Sequence, residues 1–167
     1  MDLGPATGSN IAFLGERTGC RIHVKDLYAD LDHHAREGTL DRLPEFLGER
    51  FTGFDERVDA VLCWDIFDYL APAAATALAG ALTRTLRRGG TLLAFFGAGR
   101  PGERSYTRYV IVDEAHLRHR SASAACSRER ALENREVLRL FAGLEVVDSV
   151  LLRSGAREVI FQKPNPR

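Results

Sequence analysis

Apolar positions along the chain fall into short β-branched or aromatic runs separated by stretches with helical spacing, the pattern of an α/β protein with a mainly parallel sheet. Residues 10–17 predict a helix anchored by Ile11, Phe13 and Leu14 and ended by Gly19. Residues 21–25 alternate as a strand, and residues 30–43 are polar and read as a helix stopped before Pro44. Residues 46–54 fit either element. The run 58–64, Val-Asp-Ala-Val-Leu-Cys-Trp, predicts a strand buried on both faces and ended by Asp65. The alanine-rich stretch 72–86 predicts a helix stopped by Arg87-Arg88-Gly89-Gly90, and 91–96 another buried strand. After a loop at 97–102, residues 109–112 form a short apolar run that fits an extra strand. The basic stretch 116–120 follows it, and 128–141 return to helical spacing. Two last strands, 145–152 and 158–162, flank the turn Arg153-Ser-Gly-Ala and close the sheet with an antiparallel hairpin.

The chain has 167 residues, enough for one domain spanning 1–167. Its formal net charge of zero argues against a chain built to coat nucleic acid or an anionic membrane. That zero conceals two opposed halves: residues 1–70 hold 7 bases against 14 acids, and residues 71–167 hold 16 against 9. Cys20, Cys63 and Cys126 are odd in number and far apart, which suggests neither a disulfide framework nor a thiolate zinc site and fits a reducing, cytoplasmic setting. His33-His34 lacks helical ligand spacing and an acidic partner, so no metal site is read there. The longest strongly apolar stretch, residues 71–82, is too short to span a bilayer, and the first residues do not read as a secretory signal.

Candidate chemistry begins with Asp2-Leu-Gly4-Pro5-Ala6-Thr-Gly8-Ser-Asn10, a loop leading straight into a helix, where backbone N–H groups and the positive dipole end face a ligand. Ala6 and Ser9 stand where a dinucleotide fingerprint needs glycines, so a nicotinamide site fails on spacing. Asp26, at the end of the second predicted strand, is placed to accept both hydroxyls of a ribose. Loop and acid together describe a nucleoside site.

At this point the chain resembles the class I S-adenosylmethionine-dependent methyltransferases. Residues 2–8 are similar to that family's first motif, with Ala6 for its middle glycine, and Asp26 to its second-strand acid. Residues 58–70 resemble its fourth motif, and Leu86-Arg-Arg-Gly-Gly-Thr-Leu-Leu93 the segment before its fifth strand. The resemblance implies a three-layer Rossmann-like fold with helices on both faces and S-adenosyl-L-methionine as cofactor. It implies that Gly4, Pro5, Ala6 and Gly8, with Asn10 at the helix start, wrap the methionine and ribose, that Asp2 orders the loop, and that Asp26 holds the ribose. Leu27 would pack on the adenine, and Cys63, Trp64, Asp65 and Ile66 would close the methyl end. Asp41 and Asp55 are both candidates for the adenine amino group.

In-line transfer from a sulfonium rests mainly on positioning, and a base is needed only for a protonated acceptor. Asp65, Asp68, Tyr69, Tyr106, Tyr109, His116 and His119 are the candidates, and no catalytic residue is singled out. Cys63 lacks the context of a cytosine-directed nucleophile, and no amino-directed adenine motif occurs. Because the loop, ribose acid and fourth motif stand together and no appended nucleic-acid module is visible, a small-molecule acceptor is expected, with no specific nucleic-acid signal. The basic loop at 97–128 would favour an acceptor of negative character. One departure stands out: Asp2 follows Met1 where the family has an apolar strand, so most of the first strand is missing from this sequence. Two functions follow, a small-molecule methyltransferase and a non-catalytic methyltransferase-like domain that binds cofactor or a protein partner.

Overall fold

The computed structural model describes residues 1–165. Its sheet has four hydrogen-bonded strands, β1 (Val58–Trp64), β2 (Leu86–Phe96), β5 (Glu145–Leu151) and β6 (Arg157–Gln162), in the order β1-β2-β6-β5. Only β1 and β2 run parallel, whereas β6 is antiparallel to both β2 and β5, so the sheet is mixed rather than mainly parallel. The expected strand at 21–25 is reduced to one bridge between Val24 and Asp2, and Asp2 bridges Leu62 on its other side. Residues 1–3 lie between those two segments and are too short to extend either ladder. Asp59 and Ala60 are accordingly exposed, and β1 is not buried on both faces over its first half.

The helices follow local signals. Helix α1 (Gly8–Thr18) ends at Gly19 and α2 (Leu27–Glu37) at Gly38, both with positive φ, 62° and 68°, where a side chain would be strained. Helix α2 starts earlier than the spacing predicts because the Asp26 carboxylate accepts the Ala29 N–H at 3.0 Å and caps it. A 3₁₀ turn (Leu40–Arg42) leads into α3 (Leu43–Glu49), which resolves the ambiguous stretch. Helix α4 (Pro72–Thr85) runs without a loop into β2, since Leu86 already pairs with Val58, and the Arg-Arg-Gly-Gly stretch lies inside the strand. Helix α5 is only Asn134–Leu140, opened by a capping box in which the Glu136 carboxylate accepts the Glu133 N–H at 2.8 Å. Residues 128–133 are not helical, because Arg128 turns into the protein interior. Among the described residues no helix is long and apolar enough to cross a membrane.

The core follows strand alternation. Val61 and Cys63 of β1, Leu92, Ala94 and Phe96 of β2, and Val159 and Phe161 of β6 share one face. They are buried with Leu47 of α3, Leu78 and Leu82 of α4, and Val137 and Phe141 around α5. The opposite face carries a smaller cluster of Trp64, Phe95 and Tyr109 with Leu62, Ile111 and Leu152. It is covered by a second, two-stranded sheet, β3 (Ser105–Ile111) and β4 (Leu117–Ser123), paired antiparallel from Ser105–Ser123 to Ile111–Leu117. The short run 109–112 and the basic stretch 116–120 are therefore the two arms of one hairpin.

Candidate functional site

The sequence expects its candidate ligand residues at the C-terminal edge of the parallel strands, and there the fold joins Asp2, Gly4 and Trp64. Asp2 is buried, and its Oδ1 accepts the Gly4 N–H at 2.9 Å and the Trp64 Nε1–H at 2.7 Å. Burial pushes the Asp2 carboxyl above the usual carboxylate range, and those two donors oppose the shift. Gly4 is required by this arrangement: a Cβ there would stand 2.8 Å from the Trp64 ring. The small residue thus admits the indole rather than leaving bare backbone. Pro5 is half-buried, Ala6 and Gly8 are exposed, and Leu27 and Ile66 are buried in the core. Cys63 is fully buried and its thiol is pushed well up by desolvation, so it is neither a nucleophile nor a thiolate.

Trp64 is held in the left-handed region, φ 54°, a conformation that costs a bulky residue about 1–3 kcal/mol. What offsets it is a stack of three rings, with Tyr109 at 5.1 Å and 5° to Trp64 and Phe95 at 5.1 Å to Tyr109. Asn10 fastens this stack to α1. Its Nδ2 donates to the Tyr109 carbonyl at 2.9 Å, and its Oδ1 accepts the Ile111 N–H at 2.8 Å. Strand β3 is thereby strapped across the first turns of α1, beside the loop the sequence assigns to a ligand. Asn10→Ala removes both bonds from a buried site and is expected to destabilise by about 1–3 kcal/mol. Hydrogen exchange should rise across residues 105–123 while α4 amides stay protected.

Behind the stack lies a buried ion cluster. Asp65 Oδ1 accepts the Tyr28 hydroxyl at 2.5 Å, and its Oδ2 accepts Arg128 Nη2 at 2.7 Å. Asp68 accepts Arg128 Nη1 at 3.0 Å and the N–H groups of Gly97 and Ala98 at 2.9 and 2.8 Å. Arg128 lies over the Tyr69 ring at 4.5 Å, and a Cβ on Gly99 would fall 2.4 Å from its Nε. Burial raises the Asp68 carboxyl, opposed by the two N–H groups and Arg128. The hydroxyls of Tyr28, Tyr69, Tyr106 and Tyr109 are all pushed up by desolvation, so these phenols stay protonated at neutral pH and do not supply a base.

Of the remaining candidates, Asp26 is engaged as the α2 cap, and Asp41 and Asp55 are exposed. His116 is exposed with Asp113 at 2.8 Å, and His119 packs edge-on to Tyr109. Tyr106 donates to Asp32, which also accepts the Ala125 N–H at 2.8 Å and so ties α2 to the segment after β4. Sequence reasoning misses Tyr28, Asp32 and Arg128. The last is one arginine among many, with partners 60 and 63 residues away.

A nucleoside-sulfonium ligand lying along the loop would need a cavity of roughly 300 Å³ or more beside it. A 250 Å³ hollow meets the start of the loop at Asp2 and is lined on its other sides by Ile22, Ala60 and Leu62. In this structure the Trp64 indole packs against Gly4, and Asn10 ties Tyr109 to the first turn of α1.

No protein-family model and no curated protein matches the sequence. Solved structures match the fold. The PH0226 protein from Pyrococcus horikoshii aligns over 92% of this chain and 76% of its own, with a TM-score of 0.55 at 12% identity. An S-adenosylmethionine-dependent methyltransferase from Clostridium acetobutylicum aligns over 69% of this chain and 63% of its own (TM-score 0.46, 11% identity). The Burkholderia thailandensis 1,6-didemethyltoxoflavin-N1-methyltransferase aligns over 71% and 48% (TM-score 0.47, 17% identity). This chain spans less than two thirds of the length of the latter two. The fold is shared with the PH0226 protein, and at 12% identity the likeness is one of fold alone.

Proposed function

We propose that the chain is a non-catalytic methyltransferase-like domain, one that acts by binding and whose cofactor face is closed by its own residues. The observation that carries this reading is the Trp64–Tyr109 stack, fixed against Gly4 on one side and fastened through Asn10 on the other. It stands against Gly4, the first of the loop residues that the sequence resemblance would set on the methionine and ribose of a cofactor. The acids that would hold such a ligand are engaged elsewhere, Asp2 with Trp64, Asp26 with the α2 cap and Asp65 with Tyr28 and Arg128. Incubation with S-adenosylmethionine and a panel of small-molecule acceptors should release no S-adenosylhomocysteine above background. Release that depends on an acceptor would overturn the reading.

The second reading is S-adenosylmethionine-dependent methyl transfer to a small-molecule acceptor, with the hairpin lifted away. Its specific support is at the loop: α1 has no side-chain cap and no acid in its first turn, and Thr7 Oγ1 is buried without a partner. A helix N-terminus left in that condition suits an anionic group such as a carboxylate. The segment 97–128, which would then face the acceptor, lies in the half of the chain that carries the excess of bases.

A further inference from the structure

We infer that the cleft between the β3–β4 turn and the β5–β6 turn is a binding site for a small aromatic amine in its ammonium form. The cleft measures about 250 Å³ and is bounded by Phe95, Tyr109, Leu117, His119, Leu152 and Glu158. That is somewhat below the ~300–1,000 Å³ of drug-sized sites, so it suits one ring with a short chain. Its wall is aromatic: Phe95 and Tyr109 stack at 5.1 Å, and His119 meets Tyr109 edge-on at 4.9 Å. Glu158 is the only carboxylate on the lining. It sits opposite Phe95 in the β2–β6 register and opposite Val150 in β5–β6, which puts its side chain on the Phe95 face of the sheet. Among the described residues Glu158 has no salt bridge and no side-chain hydrogen bond, although it is half-buried.

The charges around it do not fill that vacancy. Arg157 neighbours Glu158 on β6, and Arg118 and Arg120 flank His119 on β4, so strand alternation turns all three away from the residue that lines the cleft. A half-buried carboxylate without a partner attracts a cation by ion pairing, and the aromatic wall packs against the ring of the ligand. A neutral ligand of the same shape gains only the second. The inference needs the β3–β4 hairpin in place and makes no use of the Gly4–Gly8 loop.

Trp64 is the only tryptophan and stacks on Tyr109, so its emission reports on the cleft. The wild-type chain is titrated with 2-phenylethylamine and with 2-phenylethanol at pH 7. Saturable binding of the amine, about tenfold or more tighter than the alcohol, is expected from a charge-assisted contact. In Glu158→Gln, whose far-UV spectrum and melting midpoint should match the wild type, the preference should disappear while alcohol binding is retained. Equal affinity for amine and alcohol, no saturable change with either, or an amine preference that survives in Glu158→Gln overturns the inference. The wild-type comparison decides the matter by itself if the variant does not fold.

Discussion

Arg128→Met is expected to melt about 6–20 °C below the wild type, the largest loss for any single side chain outside the hydrophobic core. Arg128 is 4% exposed and, among the described residues, is the only cation paired with Asp65 and Asp68, themselves 0% and 2% exposed. Removing it leaves two buried carboxylates facing each other, and breaking a buried pair in this way costs about 3–5 kcal/mol. The loss should depend on pH. The folded Asp68 carboxyl already titrates above its ordinary value because of burial. A group raised in this sense stabilises fully below its unfolded pKa and loses that contribution as pH rises through the folded value. Without Arg128 the folded value rises further, so the gap between variant and wild type should be smaller at pH 5 than at pH 7.5. Melting curves at the two pH values check both the size and the sign. A constant gap would mean that the carboxylates are not what Arg128 compensates.

Trp64→Ala is expected to cost about 3–5 kcal/mol, measured by chemical denaturation followed by circular dichroism. The indole is buried between Tyr109 and Gly4, and its removal leaves both the ring stack and the loop without a partner. It also strips Asp2 of its Nε1–H donor, leaving a buried carboxylate with the Gly4 N–H alone. Trp64→Phe separates the two contributions. It keeps most of the ring area and loses only the hydrogen bond, so about 1–3 kcal/mol is expected. Equal losses in the two variants would assign the whole effect to the Asp2 contact and none to the stack.

Much of the fold was legible because its signals are local. Gly19 ends its helix as read, residues 58–64 form the strand with those bounds, and the closing hairpin turns at Arg153–Ala156, whereas the helix read over 30–43 already stops at Gly38. The hairpin of β3 and β4 was harder, because β4 is exposed along nearly its whole length and shows no apolar alternation. Arg128 lies in a stretch with helical spacing, and nothing local distinguishes an arginine bound for two distant carboxylates from one bound for solvent. Residues 21–25 alternate correctly yet form one bridge, since a strand needs a partner of matching length and residues 1–3 provide only Asp2. At the candidate site the loop and its acids could be named from local spacing. Their engagement with Trp64, Tyr28 and Arg128 could not, because each contact joins residues far apart in the chain.

Calorimetric titration of the wild-type chain with S-adenosylhomocysteine tests the closed site most directly, since this ligand needs the same loop and no acceptor. With Trp64 and Tyr109 in place, no saturable heat is expected at ligand concentrations up to about 1 mM, where a Kd corresponds to −4.1 kcal/mol. A saturable isotherm with a Kd in the micromolar range would contradict closure and favour the methyltransferase reading.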